Sequence, residues 1–179
     1  MKHRQLWYAH LSHLPNPWIK ERYNKNSMTK VLFICHGNIC RSPMAEMIMK
    51  NIIKEKGLTN QFEISSAAVS TEEIGNGIYS PAKQVLTKHH ISFTNHISRQ
   101  VTQYDYDYYD YLICMDTSNL RLLKRFIPEN DPASKVSLLM EYVGQYRDVA
   151  DPWYTNDFEI TYNDIIKGCN GLINHIVNH

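Results

Sequence analysis

The sequence has almost no excess of charge of either sign, since 19 Lys and Arg residues stand against 18 Asp and Glu residues, for a net charge of +1 at pH 7. No bulk field favours nucleic acid or an acidic membrane, so any anion site must be local and no nucleic-acid partner is expected. Long apolar runs are also missing, which argues against a transmembrane helix and a membrane partner. The N-terminus lacks the continuous apolar stretch of a secretory signal.

Cysteine is scarce and is not spaced as a disulfide framework. Cys35 and Cys40 lie close together, whereas Cys114 and Cys169 lie inside apolar segments. This usage suits a reducing compartment, so we expect a cytoplasmic protein. Cys35 and Cys40 could form half of a zinc site, but no paired ligands accompany the other two cysteines, and we expect no metal.

The chain of 179 residues has the size of one domain, and its 43% hydrophobic and 21% charged residues are typical of a globular protein. Residues 1–27 show no helical or strand periodicity, and Met28 stands just before a strongly patterned region. We therefore expect residues 1–27 to be an N-terminal extension, poorly ordered or non-native, and residues 28–179 to form the domain. A transit peptide is the alternative for this basic segment, although it is neither Ser- nor Arg-rich.

Strand and helix patterns alternate from Val31 onward. The predicted strands are Val31–Ile34, Phe62–Ala67, Tyr111–Met115 and Val136–Leu139. Helices are predicted to open at two Ser-Pro pairs, with Ser42 as the N-cap of the first and Ser80 at the start of the second, and to cover Asn119–Phe126 and the region from Phe158 to the C-terminus. The Tyr- and Asp-rich segment 104–111 is predicted to be a solvated connection with some packed rings. The pattern indicates an α/β fold, a single three-layer domain with a four-stranded parallel sheet and helices on both faces.

The connection after the first strand carries the clearest chemical signal. Cys35 ends a buried strand, Arg41 follows six positions later, and a helix then begins. A loop of this length can direct several backbone N–H groups to one centre, and Gly37 and Asn38 suit the positive φ values that such a curl needs. Convergent amides at a helix N-terminus bind anions, and ligands of parallel sheets lie at the carboxyl ends of strands.

A phosphate in this loop would be bound by Arg41 through a bidentate fork. The same positive surroundings favour the thiolate of Cys35, which would be placed for attack on phosphorus to form a phosphocysteine. The alternative is that Cys35 is only a small buried hydrophobe. The loop has no Gly-Lys-Ser/Thr and so is not a nucleotide-binding P-loop.

The segment Cys35–Pro43 resembles the C-x-G-N-x-C-R-S-P signature of the low-molecular-weight protein tyrosine phosphatases, and Asp151-Pro152-Trp153 is similar to that family's Asp-Pro-aromatic motif. The resemblance runs from about Met28 to the C-terminus. It implies a flavodoxin-like fold of the phosphotyrosine phosphatase I type and hydrolysis of phosphotyrosine in protein substrates without a cofactor. We also expect a monomer.

The resemblance implies roles for further residues. Asp151 would be the general acid that protonates the leaving phenol oxygen, while Trp153 and Tyr154 would wall the slot for the aromatic ring. Substrate contacts are implied for the other loop residues, namely His36, Gly37, Asn38, Ile39, Cys40 and Ser42. A hydrogen-bond network that holds the loop is implied for Asn38, Ser42, Ser66 and His96, with Asp116 as structural support near the site.

One departure from the family pattern and two rival functions are considered next. Glu72 stands where some relatives place a second aromatic wall. The first rival function is that of a related enzyme with another substrate. Relatives that act on phosphoarginine carry Thr at the position of Ile39, whose apolar bulk favours phosphotyrosine. Arsenate reductases need a further cysteine pair, which Cys114 and Cys169 do not resemble. The second rival is a non-catalytic phosphate-binding or redox-sensing module, in which Cys40 would trap an oxidised Cys35 as a disulfide.

Overall fold

The computed structural model describes residues 28–178, so the expectation for residues 1–27 lies outside the described residues. Four strands form one sheet: β1 (Thr29–Cys35), β2 (Phe62–Ala68), β3 (Tyr111–Cys114) and β4 (Val136–Leu138). Their order is β2-β1-β3-β4, and every pair of neighbours is parallel. The predicted α/β class and four-stranded parallel sheet are confirmed.

Helices cover both faces of this sheet. They are α1 (Arg41–Glu55), α2 (Ser80–Lys88), α3 (Gln103–Tyr108), α4 (Thr117–Leu123), α5 (Pro152–Thr155) and α6 (Phe158–Asn178), with 3-10 turns at Thr59–Gln61 and Leu139–Val143. Side chains of β1 alternate between two cores, because successive residues of a strand point to opposite faces. Val31 and Phe33 join one core, whereas Leu32 and Ile34 join the other. None of the helices within residues 28–178 is long and apolar enough to cross a membrane.

The order of the strands in the sheet determines where the candidate site lies. From β1 the chain moves to β2 on one side, then crosses to β3 on the other side of β1. A crevice forms beyond the carboxyl ends of the strands where the order reverses in this way. Cys35, the last residue of β1, and Asp116, two residues beyond β3, therefore lie at the same edge of the sheet.

Two predicted helix starts are wrong in detail. Helix α1 begins at Arg41 with Cys40 in the N-cap position, so Ser42 lies inside the first turn and caps nothing. Helix α2 begins at Ser80 as predicted, with Tyr79 as its N-cap. Helix α4 begins two residues before Asn119, because the Asp116 side chain caps it by accepting a hydrogen bond from the Asn119 N–H at 2.6 Å.

The Tyr- and Asp-rich segment is more ordered than predicted. It contains helix α3, which a capping box between Thr102 and Asp105 starts. The rings of Tyr106 and Tyr109 are buried, whereas Tyr104 is exposed. The sequence pattern is ambiguous here because polar and aromatic residues alternate without a helical stripe.

Candidate active site

The loop between β1 and α1 turns its carbonyl groups away from its centre. Six consecutive carbonyls, from Cys35 to Cys40, accept hydrogen bonds from the surrounding structure. The donors are Val69 N, Ser70 N, Ser98 Oγ, His96 Nε2, Tyr79 N and Met44 N, at 2.7 to 3.1 Å. Because the C=O and the following N–H of a trans peptide point in opposite directions, the N–H groups of the loop face its centre. This is the geometry of an anion cradle.

Two residues let the loop curl this tightly. Asn38 adopts a positive φ of 57°, a conformation that Asn tolerates better than most residues. Gly37 lies under the side chain of Glu73, and an added Cβ would stand 2.9 Å from Cγ of Glu73. The predicted positive φ is confirmed for Asn38 and wrong for Gly37, which is restricted by space instead.

Cys35 lies at the base of the cradle and is 4% exposed. Its Sγ accepts a hydrogen bond from the Asn38 N–H at 3.3 Å and lies 3.0 Å from Oγ of Ser42. The Asn38 amide donates to this same Ser42 oxygen at 2.8 Å, which leaves the Ser42 proton free to donate to sulfur. Both contacts place a hydrogen-bond donor within reach of the sulfur.

Asn38 also connects the loop to the protein interior. Its Nδ2 donates to Ser66 Oγ at 2.9 Å, and Ser66 donates in turn to the buried carboxylate of Glu46 at 2.5 Å. His96 donates through Nε2 to the Asn38 carbonyl at 2.7 Å. The structure therefore brings the four residues of the implied network together.

Arg41 is buried between two carboxylates. Its Nη1 lies 2.6 Å from Oδ2 of Asp116, and its Nη2 lies 2.6 Å from Oδ2 of Asp151. Burial alone would lower the pKa of Arg41, but the negative charges of Cys35, Asp151 and Asp116 raise it above its ordinary value. The guanidinium therefore stays charged, and the two carboxylates fix its orientation at the cradle.

A pocket of about 750 Å³ opens above the cradle. Its lining includes Cys35, Ile39, Arg41, Asp151 and Trp153. Tyr154 also lines the pocket but is 90% exposed, so it lies at the outer rim. The predicted nucleophile, clamp and acid therefore share one cavity that is open to an aromatic ester.

The pocket lining also carries charge at Glu72, the position where some relatives place a second aromatic wall. His36 Nε2 lies 3.0 Å from Oε2 of Glu72, and both side chains are largely exposed. Glu73 lines the pocket as well, together with His36 and Glu72. The lining therefore offers a substrate both an aromatic side chain, Trp153, and the polar pair of His36 and Glu72.

The three remaining cysteines are poor nucleophiles. Burial raises the pKa of the Cys40 thiol to about 12, and the charges of Cys35 and Asp151 add to this rise. Burial also raises the pKa of Cys114 and Cys169 well above the ordinary value. All four thiols are free. No group of three or more His, Cys, Asp or Glu side chains within residues 28–178 is arranged to hold a metal ion.

Sequence reasoning missed three residues that shape the site. Glu46 ends the network behind the loop, but its place four residues before Lys50 is that of an ordinary surface ion pair. Ser98 holds the Gly37 carbonyl from a segment without regular structure. Tyr79 packs against Trp153 from a distant part of the chain. Only Tyr79 carried a signal, since it directly precedes a Ser-Pro helix start.

The chain is a parallel α/β protein whose first strand ends at an anion cradle with the Cys35 thiol at its base. Residues 30–179 match the family described as low molecular weight phosphotyrosine protein phosphatase. The protein of that name from Gallus gallus is 42% identical over 147 residues, covering 80% of this chain and 92% of the relative. The chain belongs to the low molecular weight phosphotyrosine protein phosphatase family, and it is an enzyme of that class.

Solved structures agree with this membership. YfkJ from Bacillus subtilis superposes with a TM-score of 0.81 at 38% identity, covering 85% of this chain and 96% of that one. DARP, a Drosophila arginine phosphatase, superposes with a TM-score of 0.75 at 31% identity, covering 83% and 98%. The fold of this chain is therefore shared by proteins that carry different substrate names.

Proposed function

We propose that this enzyme hydrolyses phosphotyrosine in proteins through a phosphocysteine on Cys35, and that residues 28–179 form its catalytic unit. The convergence of the Cys35 thiol, the Arg41 guanidinium and the Asp151 carboxyl group in one pocket carries this proposal. The loop N–H groups and Arg41 bind the phosphate oxygens and stabilise the charge that develops in the transition state.

In the first step Sγ of Cys35 attacks phosphorus and the bond to the phenol oxygen breaks. A phenolate is a poor leaving group, since the phenol has a pKa near 10. Asp151, at the edge of the pocket, gives its proton to that oxygen. Pro152 begins the short helix α5 directly after Asp151, and this helix start restrains the backbone that carries the acid.

In the second step water attacks phosphorus, the bond to sulfur breaks, and Asp151 takes the proton of the water. Phosphate leaves and the Cys35 thiolate is restored. The Ser42 hydroxyl stabilises this thiolate from 3.0 Å. A reducing compartment suits this chemistry because the nucleophile must stay a thiol. Every group comes from one chain, so a monomer is sufficient.

Phosphoarginine is the alternative substrate, and the arginine phosphatase among the structural neighbours is the observation that favours it. Ile39 is 8% exposed and lines the pocket with an apolar surface. An apolar side chain packs well against a phenyl ring but leaves the N–H groups of a guanidino phosphate without partners. We therefore favour phosphotyrosine.

The test is release of phenol from phenyl phosphate by the reduced protein in EDTA. We compare the wild type with Cys35→Ser, and with Cys169→Ala as a matched control at a buried cysteine remote from the pocket. We expect turnover by the wild type and the control, and none by Cys35→Ser. Turnover that survives in Cys35→Ser contradicts the mechanism, and a higher kcat/KM for a phosphoarginine peptide than for a phosphotyrosine peptide contradicts the substrate.

A further inference from the structure

Tyr79 stacks on the aromatic wall of the pocket. Its ring centroid lies 5.1 Å from that of Trp153 with an interplanar angle of 28°. The centroid of the Tyr79 ring also lies 6.0 Å from that of the Phe158 ring, with an interplanar angle of 37°. Trp153 is 61% exposed, and its ring is restrained by this stack together with a hydrogen bond to the Cys40 thiol.

The same residue contacts the phosphate loop through its backbone. The Tyr79 N–H donates to the Ile39 carbonyl at 2.8 Å, and Tyr79 is the N-cap residue that precedes α2. Phe158 is the first residue of α6, the longest helix in the described residues. Tyr79 is thus fixed to the loop on one side and to a long packed helix on the other.

The pocket itself is lined by Trp153 and not by Tyr79. Any effect of the Tyr79 side chain on a substrate ring must therefore act through Trp153. An exposed indole that samples several rotamers loses that freedom when a ligand binds against it, whereas a ring already held in place does not. A Trp153 ring that is already held in place therefore favours the binding of flat aromatic esters, whereas it has no effect on the binding of the phosphate group.

We propose that Tyr79 is a positioning residue that holds the Trp153 ring at the edge of the slot and thereby sets the preference for aryl over small phosphate ligands. This inference rests on the proposed function, because it assumes that phosphate binds in the cradle and that the substrate ring contacts Trp153.

The experiment compares two unreactive competitive inhibitors, phenylphosphonate and inorganic phosphate, against phenyl phosphate hydrolysis. The variants are Tyr79→Ala, Tyr79→Phe and, as a matched control, Tyr146→Ala, since Tyr146 is 91% exposed. An aromatic stack of ordinary strength predicts that Tyr79→Ala weakens phenylphosphonate roughly three- to tenfold. Inorganic phosphate should be unaffected, and Tyr79→Phe and Tyr146→Ala should match the wild type.

A double-mutant cycle tests whether the effect passes through Trp153. In a Trp153→Ala background, Tyr79→Ala should weaken phenylphosphonate no further. Equal weakening of both inhibitors, an unchanged phenylphosphonate constant, or a full additional loss in the Trp153→Ala background would each overturn the inference. Failure of the proposed function is distinguishable, since the wild type itself would then neither hydrolyse phenyl phosphate nor bind inorganic phosphate.

Discussion

Nη2 of Arg41 lies 2.6 Å from Oδ2 of Asp151, so the proposed clamp and the proposed acid are directly paired. A phosphate dianion that binds in the cradle needs the same guanidinium edge, because a bidentate fork uses both Nη atoms or Nη and Nε. Phosphate and the Asp151 carboxylate therefore compete for Arg41. This competition links the affinity of the site for phosphate to the charge on Asp151.

The first prediction concerns Asp151→Asn. We expect hydrolysis of phosphotyrosine to fall about 10²- to 10⁴-fold, the usual effect of losing a general acid, and hydrolysis of esters with acidic leaving groups to fall much less. Removal of the carboxylate charge should also make inorganic phosphate a stronger inhibitor. The measurement is kcat/KM across aryl phosphates of different leaving-group pKa, together with the phosphate inhibition constant.

Asp148→Asn is the matched control for this variant, since Asp148 lines the same pocket but hydrogen-bonds to Thr117. Its leaving-group dependence should equal that of the wild type. An equal loss of activity of Asp151→Asn with every leaving group would show that Asp151 is not the acid.

The second prediction concerns Ser42→Ala. The hydroxyl 3.0 Å from Cys35 Sγ stabilises the thiolate that leaves in the second step. Because a hydrogen bond to a charged group contributes about 1.5–3 kcal/mol, we expect that step to slow roughly tenfold or more. Rapid-quench kinetics should show a larger burst of phenol before the steady state. Ser118→Ala, at a serine that lines the pocket, should leave the burst unchanged. The absence of an enlarged burst in Ser42→Ala would contradict the role of Ser42.

The third prediction is a pH dependence of stability at Asp105. Its carboxylate accepts two hydrogen bonds from Arg99, at 2.8 and 2.9 Å, and one from the Thr102 N–H at 2.7 Å. Burial alone would raise the pKa of Asp105, but these bonds outweigh burial and lower the pKa below its ordinary 3.8. A lowered pKa in the folded state means that the stabilisation is present above the unfolded value and is lost as the pH falls.

Asp105→Asn should therefore reduce the free energy of unfolding by about 2 kcal/mol at pH 7, with a smaller difference as the pH falls below 4. Urea unfolding at several pH values measures both quantities. Asp107→Asn, at an exposed position of the same helix, should change little at any pH. A difference between wild type and Asp105→Asn that does not vary with pH would show that the ion pair does not cause the stabilisation.

The fourth prediction concerns Gly171 in α6. Gly171 lies inside the helix, where Ala is ordinarily more stable than Gly by about 1 kcal/mol. Here an added Cβ would stand 2.5 Å from the backbone oxygen of Tyr142, which cannot move without its 3-10 turn. We expect Gly171→Ala to destabilise the protein by about 1–3 kcal/mol, measured by thermal unfolding. Asn174→Ala, at an exposed site of the same helix, should be neutral or stabilising, and a raised Tm for Gly171→Ala would contradict the close packing.

The sequence by itself determined the parts of this protein that depend on neighbouring residues. The parallel α/β sheet followed from alternating strand and helix patterns, and the phosphate loop followed from a single connection in which Cys35, Gly37, Asn38 and Arg41 lie close together in the chain. Such features appear in short stretches of sequence, since hydrophobic periodicity and the residue types of a tight loop are seen at neighbouring positions. Even here the prediction of Ser42 as a helix cap was wrong, because its hydroxyl group hydrogen-bonds to the Asn38 amide and the Cys35 sulfur instead.

Only the tertiary structure decided how distant segments meet at this loop. The pairing of Arg41 with Asp116 and Asp151, the connection of Asn38 through Ser66 to Glu46, and the stacking of Tyr79 on Trp153 join residues from separate elements. No spacing in the chain encodes these contacts. They arise because parallel strands bring their carboxyl ends, and the loops that follow, to one edge of the sheet.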